Sequence, residues 1–223
     1  MKKLQLSLVL NIVLFAVAAY ILIDKSTSCK IQNEQSTYLE ETYFLNYSDP
    51  VFDDLQFNTD ASRRETAIEI FEFVRDGKVL YYRDLGLNAS EVQNDSLGAC
   101  WNKALLTTAL LRKYGIPSKI IKVPLDPEFL RPLSGDFVLQ IPSPFYHCFI
   151  QVKLDGEWIY CDPSVNHDNW KIYEASKVQW NYAWDGKTDQ ILHEDFMLDE
   201  FEVIENVDLE YGTTIGNVPW IVN

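Results

Sequence analysis

A chain of 223 residues is long enough for one domain with an extension, and 47% hydrophobic and 13% aromatic residues supply a sizeable core. Its formal charge of −14 repels nucleic acid phosphates and anionic lipid headgroups, so nucleic acid is excluded as a partner while a basic protein surface is compatible. Leu4 to Ile23 is a 20-residue stretch without a charge, preceded by Lys2 and Lys3. That length spans a bilayer as a helix, and the lysines favour a cytoplasmic N-terminus. Residues 1–23 are therefore expected to be a retained single-pass anchor, with the remainder extracytoplasmic. Ala16-Val17-Ala18 resembles a cleavage site, so the rival is a signal segment and a secreted protein. The apolar run continues past that site through Ile23, which favours the anchor.

Residues 24–60 are polar and acidic and read as a short stalk leading into an N-terminal extension that lies on the domain, leaving 61–223 as the domain. Ser62 to Val74 predicts an amphipathic helix, with Ala67, Ile70, Phe71 and Val74 at helical spacing and Asp76-Gly77 as its end. Asp84 to Gly98 predicts a loop leading into Cys100. The Ala/Leu-rich run after Cys100 predicts a buried helix that stops at Tyr114-Gly115, with Pro117 beyond. Ser118 to Val123 predicts a strand. Residues 124–146 hold five prolines, which predicts a long connection that either walls a cleft or is a surface insertion. Asp155-Gly156 between alternating apolar runs predicts a two-residue hairpin turn. Trp170, Tyr173, Trp180, Tyr182 and Trp184 are expected to complete the core, and the acidic tail 200–210 suggests one more strand.

The hairpin fixes a register in which Ile150 faces Cys161, Val152 faces Ile159 and Leu154 faces Glu157. Alternation then puts Cys148, Ile150, Val152, Leu154, Ile159 and Cys161 on one face, and His147, Phe149, Gln151, Trp158, Tyr160 and Asp162 on the other. His147 and Asp162 become diagonal neighbours, roughly 7–8 Å apart at Cα, within side-chain reach. Cys100 opens a helix, where unpaired N–H groups and the helix dipole favour an anion. A thiol nucleophile needs a base, and a histidine base wants a carboxylate to hold its tautomer. Cys100, His147 and Asp162 supply those roles in that order. Of the other two histidines, His167 reads as part of a polar loop and His193 lies beside Glu194 and Asp195, neither facing an acid on a strand.

The combination of Gly-Ala-Cys, an Ala/Leu-rich helix, Tyr-Gly-Ile-Pro and a strand, then a histidine opening a strand, Asp-Gly-Glu-Trp and Cys-Asp-Pro, resembles the transglutaminase-like core over roughly residues 62–165. The resemblance implies an α+β, papain-like fold: a cysteine at the start of a buried helix packed on an antiparallel sheet, with Cys100, His147 and Asp162 as its triad. The family often has Trp two residues after the histidine; Phe149 keeps an aromatic there. The backbone N–H of Cys100 is the natural first oxyanion donor, with Gln93, Asn94 and Tyr82 as candidates for a second.

The expected function is amide acyl chemistry on a protein or peptide, as hydrolysis or transfer, through a thioester and without a cofactor. Two other readings are a non-catalytic binding module that keeps the fold, and a metal site using Cys100, His147, Cys161 and His167. The last lacks paired ligand spacing, and Cys161 points away from His147. Cys148 and Cys161 lie diagonally and are expected to be buried thiols, whereas Cys29 in the stalk could bridge two chains. Asn46, Asn88 and Asn94 open glycosylation sequons, meaningful only in a suitable secretory host.

Overall fold

The computed structural model describes residues 37–60, 62–80, 86–95, 97–141, 143–177, 181–191, 197, 199–204 and 206–210. The chain divides into two compact units, 1–38 and 39–223. The predicted anchor Leu4–Ile23 and Cys29 lie outside the described residues, as do Tyr82, Trp180 and His193. Among the described residues no helix is long and apolar enough to cross a membrane. The description below concerns the second unit.

Helix α1, Arg63–Gly77, starts where Ser62 and Glu65 cap each other: the Ser62 hydroxyl accepts from the Glu65 N–H, and the Glu65 carboxylate accepts from the Ser62 N–H. Its buried stripe contains Ala67, Ile70, Phe71 and Val74, the set read from the spacing. Over 84–98, where a loop is predicted, the structure has a short helix α2, Ala89–Asn94, and a strand β2, Leu97–Gly98. Strand β2 runs parallel to β1, Val79–Leu80. The missed signal is a second capping box, Asn88 with Glu91, at the start of α2. Helix α3, Cys100–Lys113, is buried from Trp101 through Arg112 and ends at Gly115 in the left-handed region, φ +69°.

The main sheet is antiparallel, in the order β5-β4-β3-β6, from β3 (Ser118–Leu125), β4 (Phe145–Leu154), β5 (Glu157–Cys161) and β6 (Glu202–Ile204). The hairpin register is the predicted one: Ile150 opposite Cys161, Val152 opposite Ile159 and Leu154 opposite Glu157. Its turn takes Asp155 at φ 52° and Gly156 at φ +94°. A side chain at residue 156 meets no neighbouring atom, so only the backbone opposes substitution. Gly156→Ala should cost about 1 kcal/mol from that conformation alone, read as a Tm drop of roughly 2–4 °C.

One sheet face carries Cys148, Ile150, Val152, Leu154, Ile159 and Cys161 into a core shared with α1, α2 and α3. Phe44, Leu45, Phe52 and Phe57 pack into that same core, so residues 44–57 lie on the domain. The other face, that of His147 and Phe149, covers a second core. There Ile121, Val123, Leu125, Phe145 and Phe149 meet Phe129, Leu130, Val138 and Ile141. These last four come from the proline-rich segment, which folds into 3-10 turns at Pro127–Leu130 and Gly135–Gln140 flanking α4, Arg131–Ser134. Helix α5, His167–Ala175, adds Tyr173 to this layer in a stretch where no helix was predicted. Of the predicted aromatic filling, Tyr173 and Trp184 are buried, whereas Trp170 and Tyr182 are only partly so. The tail forms β6 on the β3 edge and then a single helical turn, α6, Val207–Glu210.

Candidate active site

Cys100 is the first residue of α3 and is half-buried. Ala99 offers no side-chain cap; instead Asn102 Oδ1 accepts from the Ala99 N–H at 3.1 Å. The first helical bond runs from the Lys103 N–H to the Ala99 carbonyl, 3.0 Å, so the amide of Cys100 precedes the intrahelical ladder. The thiol therefore stands at the positive end of a 14-residue helix.

His147 is the third residue of β4 rather than its opening residue, and it pairs with Val123 of β3. It is buried between aromatic rings: Phe149 lies 6.0 Å away in a near-parallel stack, and Phe129 6.3 Å away from the proline-rich segment. Asp162 follows the last residue of β5 and is fully buried. Its Oδ2 lies 2.6 Å from His147 Nε2, the diagonal contact that the register predicts. Its Oδ1 accepts from the Ser164 N–H at 2.9 Å, an Asx turn. Its own N–H donates to Gln190 Oε1 at 2.8 Å, and Gln190 Nε2 donates to the Asn181 carbonyl. Gln190 also pairs through its backbone N–H with the Tyr160 carbonyl, 3.0 Å, which pins the end of β5. Ser164 and Gln190 are thus supports that the sequence reading did not name. The Asp-Pro-Ser turn could have indicated Ser164; nothing local points to Gln190, which arrives from 28 residues away.

Burial, the largest single influence, pulls the His147 pKa down, but the charges of Asp162 and Cys100 and hydrogen bonds to both together outweigh it. The outcome is a rise to about 10, so the imidazole is held protonated at neutral pH. Since Nε2 is occupied by Asp162, the nitrogen that serves Cys100 is Nδ1. Cys148 and Cys161 are buried and not joined in a disulfide, as expected from their diagonal placement. Burial, then the nearby Asp162 and Asp189 charges, hold the Cys161 thiol well above the usual range and make it a poor nucleophile.

His167 lies apart from the His147–Asp162 contact. It starts α5, stacks 6.0 Å from the Trp170 ring and takes Asp76 as its backbone partner. Among the described residues no three His, Cys, Asp or Glu side chains gather as a metal site. Of the oxyanion candidates, Gln93 and Asn94 lie on α2, ahead of Cys100; Gln93 Oε1 is buried without a partner and Asn94 is exposed.

Residues 53–163 match the transglutaminase-like superfamily, a span that takes in Cys100, His147 and Asp162. A search of curated proteins returned no match. A solved structure of a candidate cysteine protease from Cytophaga hutchinsonii superimposes with a TM-score of 0.42 at 16% identity, over 57% of this chain and 40% of that one. The aligned region is thus less than half of that protein's length.

Proposed function

Because residues 53–163 belong to the transglutaminase-like superfamily, we propose that this chain is a thiol enzyme that cleaves or transfers amide acyl groups of a protein or peptide. The observation that carries the reading is the buried 2.6 Å His147–Asp162 contact, coupled to a thiol at a helix tip. Cys100 as thiolate attacks the amide carbonyl, and the C–S bond forms. His147 gives its Nδ1 proton to the departing amine as the C–N bond breaks, leaving a thioester and neutral imidazole. Water then attacks; His147 takes its proton, the C–S bond breaks, and a carboxylic acid leaves. A lysine amine in place of water gives transfer. Asp162 accepts from Nε2–H throughout and holds the ring in place. Hydrolysis is favoured because a small domain has little means of excluding water.

The uncharged run Leu4–Ile23 supports a membrane anchor with the enzyme outside the cytoplasm, and the acidic surface suits a basic protein substrate. The test is iodoacetamide at pH 6.5 with the adducts mapped by mass spectrometry. Rapid labelling confined to Cys100 is expected. Equal slow labelling of Cys100 and Cys148 would replace the enzyme with a non-catalytic module on the same fold.

A further inference from the structure

Asp162 lies one residue past the β5 ladder. The β4–β5 register ends at Ile150 opposite Cys161, so the Asp162 main chain falls beyond the strand pairing. β5 is also an outer strand of the sheet, and residues 181–190 return along its far edge. There Gln190 bridges Cys161 in parallel, its N–H donates to the Tyr160 carbonyl at 3.0 Å, and Asp189 Oδ1 accepts from the Tyr160 N–H at 2.9 Å. The returning segment is itself anchored at three points. The Arg75 guanidinium donates to the Tyr182 carbonyl at 2.9 Å. Trp184 is buried against Phe71 of α1, ring centroids 5.4 Å apart. Asp185 Oδ1 accepts from the Lys187 and Thr188 N–H groups, both at 2.8 Å.

Gln190 is 2% exposed, and both ends of its carboxamide are used. Oε1 accepts from the Asp162 N–H at 2.8 Å, and Nε2 donates to the Asn181 carbonyl. At neutral pH, among side chains of this length, only a carboxamide offers an acceptor and a donor side by side. Two bonds thus hold Asp162 apart from its contact with His147. The Ser164 N–H holds Oδ1, but that bond is internal to the turn and rotates with it. Gln190 ties the turn to a separately anchored part of the chain. With both in place, Oδ2 stands 2.6 Å from His147 Nε2.

We propose that Gln190 is a positioning residue of this site: by fixing the Asp162 main chain it aims Oδ2 at His147 Nε2, and so sustains the imidazolium beside Cys100. This rests on the reading of Cys100, His147 and Asp162 as the reacting group. Against burial, the Asp162 charge is the largest influence that keeps His147 protonated. A carboxylate displaced by about 1 Å loses much of a short, charge-assisted hydrogen bond.

The experiment labels Cys100 of the full chain with iodoacetamide at pH 6. It also follows the downfield proton resonance of His147 Nε2–H, identified by its loss in His147→Ala. Gln190→Met keeps the length of the side chain and removes both polar ends. It should slow labelling by about tenfold and move the resonance upfield. Gln190→Asn, one methylene too short for both contacts, should act in the same direction, and carries the comparison if the Met variant does not fold. Asp189→Ala removes the neighbouring bond to Tyr160 and leaves the bond to Asp162 in place. It should lower the melting temperature and keep labelling within twofold of the parent. A folded Gln190 variant with either reading at the parent's value overturns the proposal, as does equal slowing by Asp189→Ala. Loss of the melting transition in both Gln190 variants would make the residue a support of the fold alone, and overturns it too. His147→Ala separates this from the wider reading. If labelling ignores His147→Ala, the thiol-enzyme reading fails whatever Gln190 does. If labelling depends on His147 but not on Gln190, only the role of Gln190 fails.

Discussion

His147→Ala should lower the rate of Cys100 alkylation at pH 6 by about 100-fold, with the difference shrinking above pH 9. A thiol with no cationic partner is only about 0.3% ionised at pH 6, and the thiolate is the species that reacts. An imidazolium beside it, itself held protonated to about 10 by the charges of Asp162 and Cys100, stabilises the anion over that whole range. Removing the ring leaves only the helix tip, whose dipole contributes roughly 0.3–1 kcal/mol. Asp162→Asn should act in the same direction but less strongly, because the ring survives while the charge on Oδ2 and its hold on Nε2 are lost. Stopped-flow or mass-spectrometric labelling of the parent and both variants from pH 5 to 10 reads this directly. Rates within twofold of the parent for His147→Ala would remove the ion pair, and with it the enzymatic reading.

The parts of the site that were legible in the sequence are those set by short-range periodicity. The hairpin turn at Asp155-Gly156 fixes the register, and the register alone puts His147 and Asp162 on one face as diagonal partners. The helix behind Cys100 was legible because its apolar run has a clear stop at Tyr114-Gly115. Helix α2 was missed although Asn88 and Glu91 form a capping box, because six residues are too few to show a periodic stripe. The second core was missed for a different reason. Five prolines in residues 124–146 read as punctuation, whereas Phe129, Leu130, Val138 and Ile141 between them carry the apolar surface that covers the far face of the sheet. Placing Phe129 beside His147 requires the tertiary path of that segment, which no local pattern encodes. Gln190 illustrates the same limit: its side chain accepts from the Asp162 N–H only because residues 181–190 return to the end of β5.

Lys103→Met should make the protein more stable than the parent below pH 7, and that advantage should shrink as the pH rises toward 10. The sign follows from where the proton sits. Burial lowers the Lys103 pKa to about 7 in the folded chain, while the unfolded chain keeps the ordinary lysine value of 10.5. Between those values the unfolded state binds one more proton than the folded state, so this residue makes parent stability rise with pH. The slope is about 1.4 kcal/mol per pH unit for one proton. Below pH 7 the folded chain carries the full cost of a buried charge; above 10.5 neither state carries it. His147 works in the opposite sense: with its folded pKa raised to about 10 from 6.5, its contribution is complete below 6.5 and is lost as the pH climbs through 10. The two slopes oppose each other between pH 7 and 10, so the parent's curve alone hides both. The difference between parent and Lys103→Met cancels the part of the His147 contribution that does not depend on the lysine. Part of the gain is offset by the Arg75 carbonyl, which loses its buried donor at a cost of roughly 1–3 kcal/mol at all pH values. Urea unfolding of both chains at pH 6, 7, 8, 9 and 10 measures the difference. A pH-independent gap between the two would mean that Lys103 titrates alike in the folded and unfolded chains, and that its charge is not spent against the interior around Asp162.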